Sequence, residues 1–183
     1  AGTYMVKASV NTANYVGEST VTLVIEPQTI EVKADNKEKV YGASDVALTK
    51  RIEGQIYDEG VVISGDLSRE VGERAGNYKI IESQKFVASG ENATNYDVKF
   101  IEGNFYIRKA NAQVNVSVSS FYYGCTPSAI SYSVIGLKND DTMEDLGINI
   151  GYPEDLRDAG LYNLNCTATT NDYELTYNNA RVN

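Results

Sequence analysis

Asn139, Asp140, Asp141, Glu144 and Asp145 crowd oxygen-bearing side chains into one stretch. Calcium takes six to eight oxygens, mostly carboxylate and carbonyl, so Asn139, Asp140 and Asp141 are the metal-ligand candidates of this sequence. The stretch lacks the Asp-x-Asp-x-Asp-Gly spacing of a calcium loop, and the competing reading is a solvated turn in an acidic protein. Cys125 and Cys166 are the only cysteines. Cys166 lies four residues after Tyr162 and shares its strand face, while Cys125 directly follows Tyr123-Gly124. If their strands are neighbours, a disulfide closes a loop of about 40 residues, worth about 4 kcal/mol in the chain-entropy model. Two buried thiols are the alternative. Phe121-Tyr122-Tyr123 sets rings on both faces of one strand, so Tyr122 either stacks a sugar or packs against another strand or domain.

Histidine is absent. That removes Ser-His and Cys-His catalysis, His-ligated zinc and the commonest general base together. No Cys-x-x-Cys accompanies the two thiols, which leaves them without a metal or redox motif. No catalytic residue and no cofactor is therefore expected, and the chain reads as a non-enzyme. A net charge of −9 and a pI near 4.5 argue against nucleic acid and against anionic membranes, which need clustered Lys and Arg. No apolar run reaches the ~18 residues of a membrane span, so membrane insertion is not expected either.

The elements that must position these residues are repeated. Asp158-Ala159-Gly160-Leu161-Tyr162 recurs as Arg74-Ala75-Gly76-Asn77-Tyr78 and as Ala1-Gly2-Thr3-Tyr4. The period is about 80 residues, which marks tandem units. The expected division is 1–27 as the closing hairpin of a preceding repeat, 28–109 as a complete repeat, and 110–183 as a second, nearly complete one. Ala1 already sits inside a repeat, so a piece of a longer chain without a signal peptide is expected. Tyr4, Val6, Ala8 and Val10 alternate with polar residues, as do Val21, Leu23 and Ile25, and each run predicts a strand with one buried face. Ile30, Val32 and Ala34 alternate in the same way, matched by Val114, Val116 and Val118. Further strands are predicted at Leu48–Ile56, Val61–Leu67, Tyr78–Ile81, Tyr96–Phe100 and Phe105–Ile107, with an acidic turn at Tyr57-Asp58-Glu59-Gly60. Met143–Leu146 adds one helical turn.

Short strands with turn signals every 8–12 residues predict an all-β fold of tandem Ig-like β-sandwich domains. The alternative is β-grasp-like units, marked by a helix of two or more turns over Asp140–Leu146. The recurrent Gly-x-Tyr has the shape of a tyrosine corner, in which a Tyr hydroxyl turns back to backbone just upstream. Tyr4, Tyr78 and Tyr162 are the three candidates, and their recurrence argues for architecture rather than for a ligand.

Tyr41-Gly42-Ala43-Ser44-Asp45, then Gly65-Asp66-Leu67-Ser68-Arg69-Glu70-Val71-Gly72-Glu73, then Ala75-Gly76-Asn77-Tyr78 and Asn95-Tyr96 give residues 28–109 a specific look. The segment resembles the MBG domain of the YGX type. Residues 110–183 resemble it through Tyr123-Gly124, Gly136–Asp141, Ala159–Tyr162 and Asn171-Asp172-Tyr173, with Tyr152-Pro153-Glu154-Asp155 replacing the Ser-Arg…Gly-Glu segment. The resemblance implies tandem domains of large secreted or cell-wall-attached bacterial proteins, including adhesins. It therefore implies an extracellular, cell-surface location and a stalk or spacer role with neighbouring repeats of the same chain as partners. A glycan- or host-protein-binding module using exposed tyrosines or loops is the alternative. It also makes the glycosylation patterns at Asn92, Asn115 and Asn165 coincidental, and it brings a Lys–Asn isopeptide cross-link into view, for which Lys33 and Asn104 are the conceivable pair.

Overall fold

The computed structural model describes every residue except Asp58, Glu59 and Arg157. The expected acidic turn at Asp58-Glu59 thus lies outside the described residues. Along the chain, the first strands are β1 (Gly2–Asn11), β2 (Val16–Ile25), β3 (Gln28–Ala34), β4 (Lys37–Val40), β5 (Lys50–Glu53) and β6 (Val62–Arg69). There follow β7 (Gly76–Ser89), β8 (Tyr96–Ile101), β9 (Gly103–Arg108), β10 (Ala110–Ser117) and β11 (Ser131–Ile135). The last are β12 (Asn149–Gly151), β13 (Tyr162–Asn163), β14 (Asn165–Thr167), β15 (Tyr173–Asn178) and β16 (Arg181–Val182).

The chain is all-β and of the Ig-like β-sandwich class. Among the described residues the only helical elements are single 3-10 turns at Ala93–Asn95 and Glu144–Leu146. The β-grasp alternative needed a helix of two or more turns at Asp140–Leu146, and that stretch makes only the short turn. Two compact units are formed. Unit 1 comprises residues 1–37, 47–70 and 79–104; unit 2 comprises 38–46, 71–78 and 105–183.

In unit 1, β3 is the central strand of a three-stranded sheet, antiparallel to β5 and parallel to β8. Its alternation works as the period-two rule requires: Ile30, Val32 and Ala34 are buried and the residues between them are not. The strand expected over Leu48–Ile56 shrinks to β5, because Gly54 at φ +114° leaves the extended region and turns against the backbone of Thr29. β6 and β7 pair antiparallel with register shifts around Asp66. Gly65 lies at that irregularity, where a Cβ would come within 2.5 Å of Phe86. Phe86 is buried, stacks on Phe100 with centroids 5.6 Å apart, and carries the Lys50 ammonium 4.2 Å from its ring centre.

β1 and β2 form a ten-residue hairpin in continuous register from Gly2↔Ile25 to Asn11↔Val16. The strands are as expected, but the buried face is not: Tyr4, Val6, Val10, Val21, Leu23 and Ile25 are all exposed. A two-stranded ribbon has one layer, and alternation buries a face only where a second layer covers it.

Unit 2 repeats the central sheet. β10 runs antiparallel to β11 and parallel to β15. Its inward positions, Ala110, Ala112, Val114 and Val116, are buried. Val114 and Val116 join Leu164 and Val182 in a core that Phe121, Tyr132, Tyr152, Tyr162 and Leu175 flank. β12 pairs with β14, β13 with β16, and β4 lies beside β9, where Arg108 reaches Glu38 and its carbonyl accepts from the Tyr41 amide.

Candidate functional site

A set of buried polar contacts lies in unit 2, around Tyr41, Asp141 and Tyr173. Val40-Tyr41-Gly42-Ala43 is a turn: the Ala43 amide donates to the Val40 carbonyl at 2.9 Å and Gly42 sits at φ +78°. That is a type II turn with glycine where φ must be positive. The turn delivers the Tyr41 ring to the Tyr173 ring, edge to face, with centroids 5.4 Å apart and planes at 78°. Both hydroxyls donate to one oxygen, Asp141 Oδ2, Tyr173 at 2.6 Å and Tyr41 at 3.0 Å. The Lys138 amide donates to the Tyr173 hydroxyl at 2.7 Å, so its oxygen is used as donor and acceptor alike. Tyr41 is 7% and Tyr173 4% exposed.

A second contact set stands beside this one in sequence terms. Asp172 is only 3% exposed. It takes the Ala75 amide at 2.7 Å and the Arg74 guanidinium at 2.8 Å. A buried carboxylate needs such donors, and the Ala-Gly stretch supplies them. Lys39 is buried as well, donating to Asp45 at 2.6 Å and to Glu73. Burial alone would lower the Lys39 pKa, but these two carboxylates raise it instead. Segments 38–46 and 71–78, which by sequence belong with the first long repeat, are thus bound into the unit that holds the second.

Unit 1 shows the same pairing rule. The nitrogen of Ala1, in the Ala-Gly position, donates to Asn95 Oδ1, and Asn95 precedes Tyr96 as Asp172 precedes Tyr173. Tyr96 accepts from the Tyr57 amide at 2.8 Å as Tyr173 does from Lys138. In two places, then, an Ala-Gly nitrogen meets the Asx before the closing-strand tyrosine.

Residues 30–106 match the family model of the MBG domain (YGX type). This segment is similar to that domain family. The match spans Tyr41-Gly42, the Tyr-Gly that makes the turn just described. No curated protein and no solved structure matches the chain. The match suggests a repeat module of surface proteins, and the geometry around Tyr41 joins segments that lie far apart in the sequence.

The other residues singled out by sequence fall as follows. Asn139 and Asp140 take left-handed backbone, φ 54° and 62°, and Asp141 receives the two tyrosine hydroxyls. Asp145 accepts the Thr142 amide and hydroxyl, both at 2.7 Å, and those bonds lower its pKa. Among the described residues no three acidic or cysteine side chains gather as a metal site would need. The Cys125–Cys166 disulfide requires correction: both thiols are free. Cys166 faces the unit 2 core, where burial raises its pKa, while Cys125 is exposed in the Tyr123-Gly124 turn. Tyr78 donates to the Arg74 carbonyl at 2.9 Å and Tyr162 to the Asp158 carbonyl at 3.0 Å, the same four-residue return. Tyr4 lies over Gly2 and makes no such bond, since the carbonyl four residues upstream falls outside the 183 residues. The Lys33 ammonium is held by Glu31 and Glu53 at 2.9 and 2.7 Å, and the Asn104 backbone amide donates to Asn36 Oδ1. Asn115 is in β10, bonded by Asn178; Asn165 is in β14; Asn92 begins a 3-10 turn.

Sequence reasoning marked Tyr41-Gly42 as a motif but gave it no partner. The partners lie 100 and more residues away, and the signal that could have found them is the shared Asx-Tyr at 95–96 and 172–173.

The joint should be alkali-sensitive. Burial, then the hydrogen bond to Asp141, push Tyr173 far above an ordinary phenol. Tyr41 is raised too: a hydrogen bond with Asn139 is the largest single influence and lowers it, but burial and Asp141 outweigh that. A folded pKa above the unfolded value means stability that is complete below about pH 10 and is lost as pH rises through the folded pKa. We expect the unfolding midpoint of unit 2 to fall above about pH 10, with a limiting slope near 1.4 kcal/mol per pH unit for each coupled proton. Y173F should flatten that fall. A midpoint that stays level to pH 12 would contradict the coupling.

Proposed function

We propose that the chain is a non-catalytic stalk segment of an extracellular bacterial surface protein, holding another domain away from the cell. The observation that supports this reading is the parallel pairing of first and closing strands. β3 runs parallel to β8 from Gln28↔Tyr96 to Lys33↔Ile101, and β10 to β15 from Ala110↔Tyr173 to Asn115↔Asn178. Tension along the chain pulls the two strands of such a pair in opposite directions along their length. The ladder is then loaded in shear, and its bonds must yield together rather than one at a time. The MBG match and the surface charge of an acidic chain fit the same role.

Single-molecule stretching between the chain ends tests it. We expect discrete, reversible unfolding events, and T176P, which puts a proline into β15 at the position paired with Gln113, should lower the force of one event only. Smooth extension without discrete events would overturn the stalk reading. A glycan- or host-protein-binding role is the second reading, favoured by a cleft of about 840 Å³ whose rim carries exposed Tyr122 and Tyr123 with Asp158 and Asn183 nearby. A glycan array probed with the whole chain separates the two.

A further inference from the structure

The Tyr123-Gly124 turn is a copy of the Tyr41-Gly42 turn. Cys125 donates its amide to the Tyr122 carbonyl at 3.0 Å as Ala43 does to Val40, and Gly124 and Gly42 share φ +78°. The surroundings differ completely. A Cβ on Gly42 would lie 2.5 Å from Lys138 Cβ, whereas one on Gly124 would meet nothing within 4 Å. Tyr41 is 7% exposed and Tyr123 80%. The second loop follows suit: Ala75 has its amide on Asp172, while Ala159 is exposed. The cleft is lined by Phe121, Tyr123, Gly124, Leu156, Ala159 and Gly160. It therefore consists of the very loops that, one repeat earlier, are covered.

We propose that this cleft is the socket for a further repeat of the same kind, which presents an Asx-Tyr at the start of its closing strand and an acidic turn after its second strand. The proposal rests on the reading of the chain as a tandem structural module and deepens it. In the seated state Tyr123 donates to the carboxylate of that turn and packs edge-on against the incoming tyrosine, and the Ala159 amide meets the Asx. A second copy of this chain does not qualify, because its Asn95 already holds Ala1 and its Asp172 already holds Ala75 and Arg74. Charge narrows the occupant further. Arg74 faces Asp172 as its ion-pair partner, but the residue in Arg74's place is Asp158. Two carboxylates brought together there repel, so the socket selects a repeat with Asn, as in Asn95-Tyr96, over one with Asp.

The test extends the chain. Arg181-Val182-Asn183 corresponds to Asn104-Phe105-Tyr106, with Val182 and Phe105 both buried, so a copy of residues 107–183 is appended after Asn183. Chains are made with Asp158 or D158R in the host and with Asp172 or D172N in the appended copy. Tyrosines are nitrated with tetranitromethane and located by mass spectrometry, with Tyr41 read in the same molecules. Relative to the 183-residue chain, Tyr123 nitration should fall on the order of tenfold, as the exposures of Tyr123 and Tyr41 differ. Protection should be stronger with either D158R or D172N alone than with both aspartates kept. Tyr123 remaining as reactive as before overturns the proposal. Equal protection in every chain overturns the charge selection. Protection of Tyr122 and Tyr123 in the unextended chain by an oligosaccharide assigns the cleft to sugar and overturns it as well. A reactive Tyr41 would instead count against the existing joint, and so against the module reading itself.

Discussion

Tyr41→Ala should destabilise unit 2 by about 3–5 kcal/mol, the range for truncating a buried aromatic. The ring is 7% exposed and meets Tyr173 edge-on, an arrangement worth about 0.5–1.5 kcal/mol beyond burial. Truncation also removes one of the two hydroxyls on Asp141, though Tyr173 keeps that oxygen bonded at 2.6 Å. Y41F separates the parts, since it keeps the ring and should cost only about 1 kcal/mol for the lost hydrogen bond. Tyr123→Ala is the matched control. It sits in the same turn of the next repeat but is exposed, so the change should stay within about 0.5 kcal/mol. The measurement is hydrogen exchange of the β10 amides against denaturant, which reports unit 2 without assuming that the whole chain unfolds in one step. Equal losses for Tyr41→Ala and Tyr123→Ala would mean that Tyr41 contributes nothing as a joint.

How much of this was legible in the sequence depends on the distance over which each feature is decided. Ile30-x-Val32-x-Ala34 predicts its strand and its buried face, and both form, because a strand's period is written in adjacent residues. The Arg74–Tyr78 and Asp158–Tyr162 returns are equally local. Alternation in β1 and β2 predicts the strands and misses their exposure, because burial depends on a second layer that alternation does not specify. By composition the carboxylates at 139–145 offer either a weak cation site or a solvated acidic turn. In the fold Asp141 serves two tyrosines and Asp145 a threonine, partners that composition cannot assign. Cys125 and Cys166 illustrate the same limit: a disulfide depended on their strands being neighbours, which spacing does not decide, and one cysteine faces the core while the other lies in an open turn. Tyr41 and Tyr123 are the sharpest case. The residues around them agree, and only a contact 100 residues away makes one a buried anchor and the other an exposed rim.

Gly42→Ala and Gly124→Ala turn that contrast into a measurement of the joint. Both glycines sit at φ +78°, so each substitution carries the left-handed penalty of about 1–2 kcal/mol. At Gly124 nothing lies within 4 Å of the new methyl, and the penalty should end there. At Gly42 the methyl would lie 2.5 Å from Lys138 Cβ and 2.8 Å from its Cγ. A long side chain can usually move its far end, but the Cβ moves only with the backbone. That backbone is fixed, with the Lys138 amide donating to the Tyr173 hydroxyl at 2.7 Å. Overpacking against an anchored neighbour adds about 1–3 kcal/mol, which gives about 2–5 kcal/mol for Gly42→Ala in all. The difference between the two variants, read from urea unfolding at matched conditions, isolates the contact with Lys138 from the strain of the turn. Indistinguishable losses would show that Gly42 is kept for its turn alone. A larger loss at Gly42 would show that the Tyr-Gly pair has two separable roles, glycine for close approach and tyrosine for anchorage.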